Sequence, residues 1–462
     1  MSATTQIDSA AAGRVGLLLA RHSFADRVES ERRGGFATYQ PWPLEGHSDA
    51  DAHEVDALCR LVNRGEVMRE EIDEQTWADL CALDLASEPE GLGRFELTAH
   101  RSLIAARDRP SPTARGDVHI GEDSLRFAEA ILGVAPTGVA LDVGCGSGIS
   151  TCALGRTCER VHAIDLVERC LDATALSMGL NGMGAKALVS DARLDNFEGS
   201  GFDCAIGNLP GVPVPPGLEY PPDGAGGPDG LALMRLFLER CQDTLINDRG
   251  VVIMRFQSLG DERGPLLLDE LAEIAARAGW DISVHTESRI PVEVRAGLTA
   301  FHALPVNPGM EPVEMLARTD AHLRGTGYRE YYASTLFARP GGGSVVWNNL
   351  SAPSLVHHPL RVRTDAPTLD TARTIVPNFY GRAHDLPDSF WELGSLAYIY
   401  EPAVRLPEIV DALAKPLTGT ELLGLVFADE VAADPIRARF LYVTLELLLG
   451  CLLDAGVVGV VE

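Results

Sequence analysis

Val139-Ala140-Leu141-Asp142-Val143-Gly144-Cys145-Gly146-Ser147-Gly148 is the stretch on which the reading of this chain turns. Its apolar start (Val139, Ala140, Leu141, Val143) reads as a buried parallel strand, and Ile149-Ser150-Thr151-Cys152-Ala153-Leu154 after it reads as a helix. The glycines between them suit a turn that takes positive φ and brings backbone N–H groups close to a ligand at the start of a helix. The dinucleotide pattern G-x-G-x-x-G, counted from Gly144, needs a third glycine at position 149, which is Ile149. The third glycine is Gly148, and Asp142 precedes the set. The resulting D-x-G-x-G-x-G argues against a pyrophosphate cofactor.

Three further strands follow, each ending in useful chemistry. Arg160-Val161-His162-Ala163-Ile164-Asp165 ends in a carboxylate suited to two ribose hydroxyls. Ala187-Leu188-Val189-Ser190-Asp191 ends in an acid suited to an adenine amino group, and Phe202-Asp203-Cys204-Ala205-Ile206-Gly207 delivers Asn208-Leu209-Pro210-Gly211. An ordinary tight turn with helix-capping acids would explain any one of these, but hardly four consecutive strand ends facing one crevice.

A chain of 462 residues suggests two or three domains. With 66 acidic against 39 basic residues, its net charge of -27 disfavours nucleic acid as a partner. Nine scattered cysteines without a C-x-x-C pair fit a reducing cytoplasm, and no metal is expected. Cys145 reads as a small residue that fits its turn. The start of the chain lacks the basic region and cleavage site of a signal peptide, and Phe440 to Leu453 is too short to span a membrane and contains Glu446. It reads as a core helix.

Residues 1–112 read as a helical accessory domain, with amphipathic runs at Val55 to Val67 and Asp73 to Leu85, and with Trp42 and Trp77 as packing residues. Arg94 to His100 alternates like a strand, and Arg109-Pro110-Ser111-Pro112 sets the boundary. A helix over Leu125 to Leu132 takes Asp123 or Ser124 as its N-cap. The Pro- and Gly-rich run from Val212 to Gly230 reads as a loop above the site. Leu231 to Leu245 and Asp269 to Ala278 read as helices. Gly250 to Arg255, Trp280 to His285 and Tyr331 to Ala338 raise the total to seven strands over residues 113–340. Residues 341–462 read as a small α+β, winged-helix-like domain for protein contacts or homo-oligomer formation: short strands at Ser344 to Trp347 and Leu360 to Val362, helices at Pro407 to Leu413 and Gly419 to Phe427, a last helix opened by Asp434-Pro435, and a strand over Val457 to Val461.

The D-x-G-x-G-x-G run resembles the first motif of class I S-adenosylmethionine-dependent methyltransferases. Over about residues 117 to 260 the chain is similar to the N-P-P-Y type, in particular the release-factor glutamine methyltransferases. Gly121-Glu122-Asp123-Ser124-Leu125, Asp142 to Gly148, Asp165, Asp191, Asn208-Leu209-Pro210 and Gly226-Gly227-Pro228-Asp229-Gly230-Leu231 carry the likeness. The resemblance implies an α/β, Rossmann-like, seven-stranded methyltransferase core with S-adenosyl-L-methionine as cofactor. It implies that Glu122, Asp123, Asp142, Gly144, Gly146, Gly148, Asp165, Asp191 and Asn208 line the cofactor site, and that Asn208, Leu209 and Pro210 form the catalytic turn. Leu209 replaces the first proline of N-P-P-Y, and Gly211 stands at the aromatic position. N-L-P is also similar to the motif of certain tRNA guanine-N1 methyltransferases, against which the acidity weighs.

A methyl sulfonium is already activated, so the enzyme must align an uncharged nucleophile, exclude water and manage a proton. Asn208 and the Leu209 carbonyl offer two acceptors for the N–H bonds of a planar nitrogen, and Pro210 stiffens the turn. The expected function is N-methylation of a small molecule or peptide in a cytoplasmic biosynthetic pathway, with a basic acceptor favoured by steering. Two readings stay open beside it: an O-methyltransferase of specialised metabolism with a base such as His119, and a non-catalytic scaffold that binds S-adenosylmethionine.

Overall fold

The computed structural model describes residues 7–21, 24, 69, 72–87, 91–109, 118–351, 355–366, 375–380 and 401–461. The expected helix at Val55 to Val67, Trp42 and the turn at Pro110 to Pro112 lie outside them.

The chain begins with helices α1 (Ser9–Arg21) and α2 (Glu74–Ala82) and two antiparallel ribbons, β1 (Ala86–Ser87) with β2 (Gly91–Leu92) and β3 (Phe95–His100) with β4 (Leu103–Asp108). The N-terminal region is therefore mixed α and β among the described residues, where a mainly helical region was expected; the strand expected over Arg94 to His100 is β3.

Helix α3 (Glu122–Val134) leads into the central sheet. Its N-cap is Gly121, ahead of the expected Asp123 or Ser124, so both acids of the first turn lie inside the helix, where they favour its positive end. The next elements alternate: β5 (Val139–Val143), α4 (Ile149–Gly155), β6 (Arg160–Asp165), α5 (Glu168–Leu180), β7 (Ala187–Asp191), β8 (Phe202–Asn208) and α6 (Ala232–Arg240). Then come β9 (Ile246–Asp261), the two-residue β10 (Gly264–Pro265), α7 (Leu267–Ala278), β11 (Trp280–Pro291), helices α8 (Val292–Ala303) and α9 (Pro312–Gly325), β12 (Glu330–Pro340) and β13 (Val345–Asn349).

The strand order is β13-β11-β12-β9-β8-β5-β6-β7, with β10 paired to β9. The sheet thus has nine strands where seven were expected. β13 runs parallel to β11 beyond residue 340, because the Asp281 carboxylate holds the turn through the Gly342 N–H, the Ser344 N–H and the Ser344 hydroxyl. Alternate residues feed two cores. Leu141, Ala205, Val252 and Met254 pack with Phe237 and Leu271, whereas Ala140, Cys204, Ile206 and Ile253 pack with Phe127 and Ile149. Burial of both faces is why these strands read as continuous apolar runs.

Beyond the sheet, β14 (Leu360–Val362) pairs antiparallel with β15 (Val458–Val460). Helices α10 (Leu406–Ala412), α11 (Gly419–Val426) and, after the mostly exposed α12 (Ala428–Ala433), α13 (Phe440–Asp454) share a core with Val294 and Leu298 of α8. The last helix starts at Phe440 after a short 3-10 turn, Arg437–Arg439, five residues later than the Asp434-Pro435 pair suggested.

Candidate active site

Strand β5 has β8 on one edge and β6 on the other, and the chain changes direction across the sheet at this point. Crevices outside the carboxyl ends of strands at such a reversal are where open parallel sheets bind ligands. Here the turns Gly144 to Gly148 and Asn208 to Gly211 stand side by side.

Gly144, Gly146 and Gly148 all have positive φ, at +71°, +53° and +78°. A Cβ on Gly146 would meet only the Gly144 oxygen, 4.0 Å away, and one on Gly144 would meet Leu209 Cδ2 at 3.4 Å. Gly148 is different. Its Cβ would lie 2.7 Å from Thr174 Cα, so this glycine lets α5 pack against the turn. Thr174 Oγ1 donates to the Gly146 carbonyl at 3.1 Å, and Ser177 Oγ to that of Ser147 at 2.7 Å. Cys145 is buried against Ala163 and Leu171, which raises its thiol pKa well above the ordinary value.

Asp142 lies beneath the turn, 1% exposed. Its Oδ2 accepts from Ser150 Oγ at 2.9 Å and Thr151 Oγ1 at 2.6 Å, and its Oδ1 has no partner. Burial pushes its pKa up to about 6, against the pull of the two hydroxyls. Asp165 stands at the end of β6, where its Oδ2 accepts from the Gly146 N–H at 2.9 Å and its Oδ1 from the Val167 N–H at 3.0 Å. Burial raises its pKa too, and these N–H groups oppose the rise. Asp191 is exposed and in register with Asp165 on β7.

Asn208 ends β8, and its Nδ2 donates to Asp123 Oδ2 at 3.2 Å. An ionised carboxylate can only accept, so Asp123 fixes the amide with Oδ1 turned away as a free acceptor. Glu122, one residue earlier, faces Arg126, whose other neighbour is Glu287 at 4.0 Å. Glu287 takes Arg255 on both oxygens at 2.9 Å, and Arg255 is in register with Asn208. A line of alternating charges thus joins α3 to the middle of the sheet.

Leu209 is 8% exposed and packs over Gly144 and Gly207; Pro210 is half-buried. At Gly211 a Cβ would lie 2.6 Å from Met234 Cε, so a side chain there would require the end of Met234 to shift. Tyr331 of β12 reaches the same turn from the other side: its hydroxyl donates to the Gly211 carbonyl at 3.0 Å and lies 2.8 Å from Gln257 Oε1. The loop after Gly211 is tied by Val212 N–H to the Gly224 carbonyl and by Gly226 N–H to that of Val212. Val212, Val214 and Leu218 pack against Ala300, Met315 and Leu316, so α8 and α9 roof the crevice.

The sequence reading missed this roof and with it Tyr331 and Arg295. A usable signal was present for α9, where Pro312 opens a run with Met315, Leu316, Thr319 and Leu323 on one face. Helix α8 is buried all round and shows no polar stripe. Among the described residues no helix is long and apolar enough to cross a membrane, and no group of three His, Cys, Asp or Glu side chains could hold a metal ion.

Residues 140–214 match a family model described as a methyltransferase domain. The chain thus contains a methyltransferase domain, of the kind that takes S-adenosyl-L-methionine as cofactor. No curated protein matches the chain. Among solved structures it is similar to Trm5b from Pyrococcus abyssi, at 14% identity over 54% of this chain and 56% of that one, with a TM-score of 0.33. It is also similar to the phosphoethanolamine N-methyltransferase 2 of Haemonchus contortus, solved with S-adenosylhomocysteine, at 15% identity over 49% and 55% of the two chains, with a TM-score of 0.30. The ribosomal protein L11 methylase of Lactobacillus delbrueckii gives 22% identity over 36% and 72%, with a TM-score of 0.26.

Proposed function

We propose that this chain N-methylates a small-molecule or peptide acceptor, with the nucleophilic nitrogen held at Asn208 and the Leu209 carbonyl. The observation that carries the reading is the Asn208–Asp123 hydrogen bond, which leaves the amide oxygen as a fixed acceptor at the carboxyl end of β8. The open sides of Gly144 and Gly146 and the neighbouring acids Asp165 and Asp191 suit the cofactor, which supplies an activated methyl group when bound. Asn208 Oδ1 and the Leu209 carbonyl would accept the N–H bonds of the acceptor and draw the lone pair out of conjugation. Pro210 stiffens the turn, and the roof of α8 and α9 excludes water. Asp142 and Gly148 act from below as supports of the glycine turn.

The N-P-P-Y likeness supports the role of Asn208, and the net charge of -27 supports a small or peptidic acceptor over nucleic acid. Residues 113–349, which hold the whole sheet, form the methyltransferase unit in this reading. The terminal regions are reserved for protein contacts, including those of a homo-oligomer, in the cytoplasm. O-methylation is the second reading, favoured by His119, whose Nε2 lies 3.2 Å from the Cβ position of Gly121 and hence beside Asp123. A pH–rate profile that rises with deprotonation of a histidine, and disappears in His119→Ala, would select it.

Calorimetry with S-adenosylhomocysteine on Asn208→Ala and Asp165→Ala tests the assignment. Asn208→Ala should keep cofactor affinity and lose about a hundredfold or more in turnover, the scale of a positioned transition-state hydrogen bond. Asp165→Ala should lose the affinity itself. An unchanged rate in Asn208→Ala sinks the proposal.

A further inference from the structure

Arg255 of β9 and Arg295 of α8 are both buried arginines, at 3% and 7% exposure, and they are treated differently by the fold. Arg255 is paired on both oxygens of Glu287. Arg295 has no carboxylate within ion-pair distance among the described residues. Its Nε donates to Thr299 Oγ1 one turn along α8 at 3.1 Å, its guanidinium lies 5.3 Å from the centre of the Tyr331 ring, and its buried Nη2 has no partner. A guanidinium cannot escape burial by losing its proton, so an unpaired one retains the cost of leaving water until an anion arrives.

The topology puts this cation on the acceptor side. Pro291, which ends β11, is in register with Glu330, and Glu330 with Gly260 near the end of β9. The start of α8 and the start of β12 therefore lie at the same end of the sheet as Asn208. Tyr331, under the guanidinium, donates to the carbonyl of Gly211, three residues past Asn208. The glycine turn is on β5, on the far side of β8 and β9 from β12.

We infer that the methyl acceptor carries a carboxylate and that Arg295 is the residue that binds it. The inference rests on the reading of Asn208 as the acceptor site and makes Arg295 a specificity-determining residue of it. One free nitrogen suits a monoanion, and in a chain of net charge -27 a dianion such as a phosphate ester is less favoured. The cofactor's own carboxylate is the rival source of the anion, and the test separates the two.

The full chain and its Arg295→Gln variant, each saturated with S-adenosylhomocysteine, are titrated in a calorimeter with acetate and benzoate and with acetamide and benzamide as uncharged isosteres. A carboxylate should bind the wild type and bind Arg295→Gln about tenfold or more weakly, the loss of one charge-assisted hydrogen bond, whereas the amides should not distinguish the proteins. The affinity for S-adenosylhomocysteine should be the same in both. The proposal is overturned if carboxylates and amides bind alike, if no carboxylate binds the wild type, or if Arg295→Gln binds the carboxylate as the wild type does. A fall in S-adenosylhomocysteine affinity in the variant also overturns it, because Arg295 then serves the cofactor. Should Arg295→Gln fail to fold by circular dichroism, Arg295→Met, which keeps an unbranched side chain and removes the charge and the donors, must show the same weakening. If the wild type binds no S-adenosylhomocysteine, the proposed function falls, and the carboxylate titration of the chain alone still decides the role of Arg295.

Discussion

Asp142 illustrates what a single residue in a sequence motif discloses and what it hides. Its position at the end of an apolar run, two residues before Gly144, marks it as a strand-end acid from sequence alone. The direction of its carboxylate is set by Ser150 and Thr151, which take Oδ2 below the turn, and that is a fact of helix α4 folding back under β5. Asn208 was legible for the same reason as Asp142, since a strand end is where an apolar run stops. Arg295 was not, because a cation in the sequence gives no sign of whether tertiary packing will bury it or pair it. For Asp142 the buried state has a testable consequence. Its pKa is raised from 3.8 to about 6, so the native state favours the protonated carboxyl. The stability this contributes is complete below the unfolded value and is lost as pH rises through about 6, a change of about 3 kcal/mol at most. Asp142→Asn is neutral throughout and lacks this change. Urea unfolding between about pH 4 and about pH 7 should show the wild type losing stability relative to Asp142→Asn as pH rises; parallel curves would refute a buried carboxylate that resists ionisation.

Elements were legible wherever local pattern and final burial agreed. The glycine turn, α4 and the parallel strands follow from short-range rules, but the roof of α8 and α9 does not, since α8 owes its all-round burial to α9, to the loop after Gly211 and to the C-terminal helices. The edge strand β13 escaped the count because its pairing depends on an Asp281 turn that no periodicity reveals. Within the glycine turn, the structure divides two residues that the motif treats as equals. Gly146→Ala adds a methyl that meets nothing nearer than 4.0 Å, so its stability cost should be that of positive φ alone, about 1 kcal/mol. Its effect should fall on binding, where a methyl enters the space proposed for the cofactor. Gly148→Ala combines positive φ with a Cβ 2.7 Å from Thr174 Cα and should cost about 2–4 kcal/mol, because the contact is to backbone and α5 must move. Paired urea melts and S-adenosylhomocysteine titrations separate the two; equal losses of stability would remove the distinction.

At the scale of the molecule, the Pro-rich turn near residue 112 suggested a boundary between two domains, and the packing joins what that turn divides. Residues of α1, α2 and the β3–β4 hairpin share one core with Cys170, Ala173, Leu176 and Leu180 of α5, a helix of the central sheet. Arg169 of α5 pairs with Asp108. Two side chains near the end of α5 connect the hairpin to the motif turn. Ser177 Oγ takes the Ala106 N–H at 2.9 Å while it donates to the Ser147 carbonyl, and Asn181 extends the β4 edge by taking the Ile104 N–H at 3.1 Å and giving to the Ile104 carbonyl at 2.6 Å. Such pairings between segments far apart in sequence leave no local signal, which is why the boundary looked sharper in the sequence than it is in the fold. Asn181→Ala removes both bonds to Ile104 and leaves two half-buried backbone groups without their partner. The cost should be about 1–3 kcal/mol of global stability if the hairpin and the sheet unfold together. Hydrogen exchange decides between cooperative and separate units: in one cooperative unit the amides of β5 and of β3–β4 lose protection by the same free energy, whereas in separate domains only Ile104 and its hairpin neighbours exchange faster and the glycine turn keeps its full protection.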